Sequence, residues 1–335
     1  MLKLKSASWI IALFLALAAI PFLANALSEP FYITFFARVL VYALAACALN
    51  LILGLGGLVS FGHAMFIGLG CYAVGGLDHY GVANGWLQLL VAIAVCAGVA
   101  VVVGAVCLRT SGIGFIMITL AFSQMLYFLM VSLTEFGGDD GLNILEPSDF
   151  GFFILSDSID VYWAAFVLLL LMTIFFRQFR ESPFGMVLRA AHINPRRVDA
   201  FGYSVFWTQL TAYTLSGIIT GLAGFLLANL TAFASPSYIA WHVSGELIVM
   251  IVIGGIGLVT GPIIGALAFL VLEEVLKGWT THWMLVMGPL IVLIALLGRN
   301  QFAWLKACLH RPAAAAVRMP AAYVPSARAS TGEQP

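Results

Sequence analysis

Long apolar stretches recur along almost the whole chain, and they constrain its fold more than any other feature. A helix needs about 20 apolar residues to cross the hydrocarbon core of a bilayer. On that rule we count about ten candidate spans in the 335 residues. Their approximate cores are 9–27, 34–54, 58–78, 86–107, 113–133, 161–177, 207–230, 242–259, 262–277 and 283–298. We therefore predict an all-α fold, a polytopic transmembrane bundle of about ten helices.

The composition supports this prediction. Hydrophobic residues make up 62% of the chain and charged residues only 9%, whereas soluble domains carry about 25% charged residues. So few charges cannot cover a water-exposed surface. The formal net charge is zero, so we expect no nucleic acid partner. The five cysteines form no CxxC pair, and we interpret them as small apolar core residues rather than metal or disulfide sites. They are Cys47, Cys71, Cys96, Cys107 and Cys308.

Glycine-rich sequence marks two regions, 58–78 and 242–277, where we expect broken or re-entrant helices. A faint repeat links them, since Gly54-Leu-Gly-Gly-Leu-Val-Ser60 resembles Gly254-Gly-Ile-Gly-Leu-Val-Thr260. Transporters often place their pathway at interrupted helices in corresponding positions of two halves. A match of this length in a glycine-rich chain also arises by chance, so both interpretations stay open.

The distribution of charge predicts the orientation. With the N-terminus in the cytoplasm, all of the 15 Lys and Arg residues except Arg38 and Lys277 fall on the cytoplasmic side, as the positive-inside rule requires. The C-terminus is then cytoplasmic as well. Lys3 and Lys5 before an apolar run that ends near Ala26 resemble a secretory signal. The run is longer than a usual signal core, which favours a retained helix over a cleaved one.

These assignments give a simple organisation. Residues 1–305 form the transmembrane domain, with an acidic external loop at 134–160 and a basic cytoplasmic loop at 178–206. The acidic loop either docks an external binding protein or is simply solvated. Residues 306–335 are rich in Ala, Pro and Ser, and we expect a disordered cytoplasmic tail.

The sequence of the cytoplasmic loop predicts two short helices. Ser182 and Pro183 are typical of a helix start, with a capping serine and a proline in the first turn. Phe184, Val187, Leu188 and Ala191 then recur at helical spacing. Pro195 interrupts this pattern, and a second short helix can run to Gly202. Such a pair suits docking into a groove of a partner, whereas the alternative is a charged loop that only fixes topology.

This loop resembles the coupling segment of LivM-type permeases, a family that belongs to the branched-chain amino acid ABC transporters. The family carries Ser-Pro-Phe-Gly, then Arg-Ala, and a Gly about a dozen residues later. The matching residues here are Ser182, Pro183, Phe184, Gly185, Arg189, Ala190 and Gly202. Where the family often has acidic residues, this chain has Asn194-Pro195-Arg196-Arg197.

The resemblance extends over roughly residues 34–298. Residues 49–75 are similar to the family's Leu-Gly-His-Ala region, and 137–142 to its external Gly-Gly-x-x-Gly-Leu loop. Residues 241–266 resemble its Gly-Gly-x-Gly…Gly-Pro segment. Four matching regions in the right order are more specific than any one of them.

The resemblance implies the permease subunit of an ABC importer for leucine, isoleucine or valine in the cytoplasmic (inner) membrane of a bacterium. It implies four kinds of partner: a second homologous permease, two cytoplasmic ATP-binding subunits, an external solute-binding protein and the lipid bilayer. None of the four lysines follows a glycine, so the chain lacks a P-loop. We therefore expect no cofactor and no enzymatic activity in this chain, with ATP bound by the partner subunits.

Candidate residues fall into two groups. For ATPase coupling we select Ser182, Pro183, Phe184, Gly185, Leu188, Arg189, Ala190, Arg196, Arg197 and Gly202. For the translocation pathway we select Asn50, Ser60, His63, Gly68, Glu246 and Gly257. An ionisable residue within a span is a functional candidate by default, but His63 also fits a backbone-bonded position. Three interpretations are open for Glu246. It contacts the ammonium group of a substrate, it pairs with Arg38, or its side chain only extends to the membrane interface.

Two alternatives to this function remain. Related permeases carry urea or other small amides, so the cargo is less certain than the mechanism. An ion-coupled secondary carrier would need no ATPase-docking loop and usually relies on buried ionisable residues. Carboxylates in the middle of the spans are nearly missing here, and the basic two-helix loop favours the ABC importer.

Overall fold

The computed structural model describes residues 2–27, 29–151, 153–279, 282 and 285–292. The predicted tail 306–335, the end of the last predicted span and Cys308 lie outside these residues. The described chain is mainly helical, and residues 285–292 are also helical. The helices are α1 (Leu2–Leu27), α2 (Pro30–Asn50), α3 (Ala64–His79), α4 (Gly85–Cys107), α5 (Ile113–Ser132), α6 (Ser158–Glu181), α7 (Pro183–Ile193), α8 (Pro195–Ala200), α9 (Val205–Thr231), α10 (Trp241–Gly254) and α11 (Gly261–Trp279).

Five helical segments of the described chain are long and apolar enough to cross a membrane: α2 with the π-helical turn Leu51–Leu55 that extends it, α4, α5, α6 and α9. Each of them coincides with a predicted span. Their burial differs sharply, since 89% of the apolar stretch of α2 is buried inside the protein but only 17% of the apolar stretch of α5. The helix α2 therefore lies at the centre of the bundle, and α5 presents most of its apolar surface to lipid.

Small residues permit a close helix crossing between α3 and α9. A β-carbon at Gly70 would overlap with the carbonyl oxygen of Gly221, and one at Gly224 would overlap with that of Ile67. Apolar contact alone does not hold helices together in lipid, so close backbone approach supplies much of the attraction. Gly217 lies against Phe66 at the same crossing and also has a packing role.

The prediction of a purely α-helical chain needs a small correction. The strand Leu142–Asn143 pairs antiparallel with Phe233–Ala234, and Leu142 lies opposite Ala234. This short ladder ties the 134–160 loop to the segment that follows α9. Isolated two-residue strands leave no periodic pattern in the sequence, because their pairing depends on a segment about 90 residues away.

Several segments that we predict to be external contact one another. A backbone bridge joins Asn84 to Asp149, and Asp78 accepts hydrogen bonds from the amides of Leu145 (2.8 Å) and Glu146 (3.2 Å). Tryptophans, which favour membrane interfaces, also collect at this end of the helices. They are Trp86, Trp163, Trp241 and Trp279. The contacts agree with the predicted sidedness.

The cysteines that the structure describes fit the role predicted for them. Cys47, Cys71, Cys96 and Cys107 are free thiols, and all four are buried in the helix bundle. Cys96 occupies the space beside Gly221, and the thiol of Cys71 donates to the carbonyl of Gly224 at 3.2 Å. These four side chains therefore act as small packing residues.

Candidate functional site

The cytoplasmic loop folds as two capped helices, as its sequence predicts. The hydroxyl of Ser182 accepts a hydrogen bond from the amide of Gly185 at 3.1 Å, and Pro183 occupies the first turn of α7. Asn194 caps α8 in the same way, accepting from the amide of Arg197 at 3.2 Å. The segment ends at Gly202, whose φ of 84° is the left-handed conformation that glycine favours.

The apolar face of α7 packs against its own chain, which corrects one prediction. Leu188 is fully buried and contacts Gly56, in the turn that follows α2. Phe184 packs edge-on against Phe179 of α6, with ring centroids 5.2 Å apart. Gly185 is close-packed against the backbone of Phe179, where a β-carbon would overlap. The expectation that Leu188 fills a groove of a partner is therefore wrong, because its side chain anchors α7 to the permease.

Some basic residues of the loop bind groups of their own chain, and others are exposed on the surface. Arg189 donates to the carbonyls of Gly185 (3.3 Å) and Arg180 (2.8 Å), so it fastens α7 to the last turn of α6. It is not the peripheral charge that its position in the sequence suggests. Arg196 and Arg197 are exposed and remain available to a partner.

A second apolar face of α7 and α8 points outward. Met186 is 54% exposed, Ile193 is 83% exposed and Phe201 is 81% exposed. Ala190 lies between the first two at helical spacing and is also exposed. We call Met186, Ala190, Ile193 and Phe201 the outward face of the loop. The helical spacing in the sequence predicts the face of Leu188 but not this exposed one.

The two glycine-rich segments 54–60 and 254–260, which we call the two breaks, contact each other next to this loop. Asn50 accepts a hydrogen bond from the amide of Gly257 and donates one to the carbonyl of Leu258, both at 2.9 Å. Gly54 lies so close to Gly257 that a β-carbon would be 2.7 Å from the backbone of Gly257. Gly57 corresponds to Gly257 in the repeat, and both residues have a positive φ, which is 65° at Gly57 and 75° at Gly257. The two copies of the repeat therefore contact each other and share a positive φ at their fourth residue, although Leu55 is helical and its counterpart Gly255 is not.

Side chains of the loop reach both breaks. The guanidinium of Arg180 donates to the carbonyl of Gly257 at 3.4 Å. The imidazole of His192, in the last turn of α7, lies directly against Gly57. A displacement of α7 would therefore act on the first break through His192 and Leu188. It would act on the second through Arg189 of α7, which binds the carbonyl of Arg180. These long-range contacts are invisible in the sequence.

The predicted span 58–78 is helical only from Ala64, and its buried N-terminus is satisfied by other helices. The amide of Ala64 donates to Ser244 at 2.8 Å, and that of Phe61 donates to Thr119 at 3.3 Å. Ser60 is fully buried and accepts from the amide of Gly62 at 3.3 Å. Such partners are required because the first amides of a helix lack intrahelical acceptors.

His63 lies in the same region and is fully buried. Its Nε2 is 2.9 Å from the hydroxyl of Ser216, which donates its one proton to the carbonyl of Ala48 at 2.6 Å. The imidazole therefore donates from Nε2, and Nδ1 has no hydrogen-bond partner among the described residues. The rings of Phe66 and Tyr213 contact it edge-on. A pathway role for His63 stays a prediction.

Gly68 has a packing role in this structure. A β-carbon there would overlap with the side chain of Ile239, in the short turn Pro236–Ile239 that precedes α10. The carbonyl of Ile239 also accepts from the hydroxyl of Ser123 at 2.8 Å. Gly68 therefore brings α3 against the segment between α9 and α10, and nothing in its contacts favours a pathway role.

The two cations that depart from the positive-inside rule lie together at the outer end of the bundle. Arg38 is 3.9 Å from the carboxylate of Glu273, and Lys277 is 2.5 Å from the same carboxylate. Glu246 interacts electrostatically with Glu273 and Arg38. The direct ion pair of Arg38 is thus with Glu273 rather than Glu246. The spacing of Glu273 and Lys277, four residues apart on one helix, is the signal in the sequence that predicts part of this cluster.

Known proteins share most of this sequence. Residues 31–296 match the family described as branched-chain amino acid transport system / permease component. The high-affinity branched-chain amino acid transport system permease protein LivM of Escherichia coli is 27% identical over 279 residues, which cover 76% of this chain and 66% of that protein. The chain thus spans just under two thirds of the length of that relative.

Two archaeal relatives extend the comparison. A probable branched-chain amino acid transport permease protein LivM of Methanocaldococcus jannaschii is 24% identical, covering 70% of this chain and 78% of that protein. A probable LivH permease of the same organism is 26% identical, covering 41% of this chain and 44% of that protein. No solved structure gives a significant match. The family match covers most of the chain, and the chain therefore belongs to the family of permease components of branched-chain amino acid transport systems.

Proposed function

We propose that this chain is the membrane-spanning permease subunit of an ABC importer that carries leucine, isoleucine or valine across the cytoplasmic membrane of a bacterium. The family match supports the transported class, and the helical bundle with its apolar exterior supports the location. The family match does not favour a permease for urea or small amides, or an ion-coupled carrier.

The complex would contain three further kinds of component. A second homologous permease is supported by the chain's similarity to proteins of two permease names, LivM and LivH. Two ATP-binding subunits would supply the energy, because no lysine of this chain stands in a P-loop. A solute-binding protein would deliver the amino acid to the external segments that the ladder of Leu142–Asn143 and Phe233–Ala234 holds together.

The observation that carries the ATP-driven mechanism is the contact between the cytoplasmic loop and the two breaks. Loop α7–α8 exposes an apolar outward face, and its inner side contacts Gly56 and Gly57 through Leu188 and His192. Arg180, at the end of α6, donates to Gly257 and is itself bound by Arg189 of α7. Motion of an ATPase bound to the outward face would therefore reach both breaks directly. Opening at these breaks would switch the pathway between external and cytoplasmic access.

Reconstitution tests the function. With both permeases, the ATPase subunits and the binding protein in proteoliposomes, we expect uptake of labelled L-leucine that requires ATP. Urea, which lacks the charged backbone groups of an amino acid, should not be accumulated. Leucine uptake that continues without the ATPase subunits would contradict the proposal and favour an ion-coupled carrier.

A single exposed residue tests the docking surface. Burying the Ile193 side chain, which is 83% exposed, in a partner would contribute about 1.5–3 kcal/mol. We expect Ile193→Asp to give a folded permease that no longer co-purifies with the ATPase, because the carboxylate would lose its hydration in the interface.

The matched control is Leu145→Asp, since Leu145 is 86% exposed on the predicted external side. This variant should keep its ATPase. If Ile193→Asp binds the ATPase as well as Leu145→Asp does, the outward face is not the docking surface.

A further inference from the structure

Four charged side chains lie on three helices that pack together in the predicted outer part of the bundle. Arg38 lies on α2, Glu246 on α10, and Glu273 and Lys277 on α11. Charged groups at this depth are costly unless they face protein, water or one another. The Arg38 and Lys277 side chains are nevertheless 40% and 36% exposed on this chain. This side of the bundle is therefore suited to an aqueous pathway rather than to lipid tails.

The two cations, Arg38 and Lys277, lie at different distances from the carboxylate of Glu273. Lys277 holds the carboxylate at 2.5 Å, one helical turn away on the same helix, whereas Arg38 is 3.9 Å from it. Lys277 alone can neutralise Glu273, so Arg38 can turn to another anion without leaving an unpaired charge. Its guanidinium is also held over the ring of Tyr42, 5.6 Å from the centroid. A planar guanidinium fixed in this way is suited to binding a carboxylate through two hydrogen bonds.

Glu246 supplies the complementary group. Within the described residues, no cation lies within salt-bridge distance of its carboxylate. Its charge interacts with Arg38 and Lys277 at longer range and is opposed by that of Glu273. A half-buried carboxylate next to another carboxylate gains most from a cation that arrives with the substrate. An ammonium group is such a cation.

We propose that Arg38 and Glu246 bind the two ends of an amino acid zwitterion during its passage, with Arg38 receiving the carboxylate and Glu246 the ammonium group. Glu273 and Lys277 keep Arg38 in position between substrates. The assignment rests on the proposed import function and adds the residues that bind the charged groups of its substrate. Two opposite charges on neighbouring helices select zwitterions over urea and neutral amides, because these solutes form no ion pair with either residue.

Leucine uptake by the reconstituted complex tests the assignment. We expect Arg38→Gln and Glu246→Gln each to lower the rate of uptake about tenfold or more, since each removes a charge-assisted hydrogen bond. Co-purification of all subunits should stay at the wild-type level. Glu246→Asp, which keeps the carboxylate, should restore much of the uptake. Glu274→Gln is the matched control, because Glu274 neighbours Glu273 but belongs to no ion pair of the cluster, and it should leave uptake unchanged.

The outcomes separate this assignment from the proposed function. Wild-type leucine uptake together with unchanged uptake in Arg38→Gln and Glu246→Gln would overturn the zwitterion site alone. Loss of subunit assembly in both variants would also overturn it, since the cluster would then be structural. A wild-type complex that accumulates no branched-chain amino acid would refute the proposed function and with it this site.

Discussion

Gly224→Ala is expected to eliminate most of the folded protein. The added β-carbon would overlap with the carbonyl oxygen of Ile67 at the crossing of α3 and α9. Overpacking in a tight core costs about 1–3 kcal/mol, and we expect the upper end of this range because a backbone atom cannot rotate away. The crossing would have to widen, and this would also break the hydrogen bond from Cys71 to the carbonyl of Gly224.

The measurement is the temperature at which half of the detergent-solubilised protein remains monodisperse. Gly98→Ala is the matched control, because a β-carbon at exposed Gly98 meets nothing within 4 Å. Alanine is favoured over glycine inside a helix by about 1 kcal/mol, so the control should be as stable as wild type or more so. Equal stability of the two variants would show that α3 and α9 do not cross as closely as the structure indicates.

Asn50→Leu is expected to separate the two breaks. The leucine has a similar size but leaves the amide of Gly257 and the carbonyl of Leu258 without their partner. Each unpaired buried polar group costs about 1–3 kcal/mol. We therefore expect a loss of stability of about 2 kcal/mol or more and a transporter in which ATP hydrolysis no longer drives uptake.

Two further variants sharpen this test. Asn50→Asp keeps the acceptor for Gly257 but loses the donor to Leu258, so its coupling should be impaired less than that of Asn50→Leu. Asn143→Leu changes an exposed asparagine on the external side and should leave both stability and coupling unchanged. Full coupling in Asn50→Leu would show that the contact between the breaks is dispensable.

Hydropathy predicts the long helices well because their apolar runs are close to the thickness of a bilayer. It also locates both breaks, since glycine leaves a clear mark in the sequence. The cap at Ser182 and the helix break at Pro195 follow from local chemistry, and the structure has both. These features depend only on residues within a few positions of one another.

The features that sequence reasoning missed all depend on distant partners. Periodicity identifies the apolar face of Leu188 but does not say whether Gly56 or another protein covers it. Arg38 pairs with Glu273 rather than Glu246 because α11, far along the chain, packs beside α2. Asn50 has no local signal for its role, since its two hydrogen bonds reach residues more than 200 positions away.

The buried start of α3 has a consequence for the order in which the chain is inserted. Its N-terminal amides are satisfied by Thr119 and Ser244, which are synthesised 58 and 180 residues after the groups they bind. Unsatisfied backbone groups cost several kcal/mol in hydrocarbon. The segment 56–63 therefore cannot settle at its final depth when α3 first leaves the ribosome. We expect it to stay near the polar interface until α5 and α10 arrive, so that insertion is completed late and all at once rather than helix by helix.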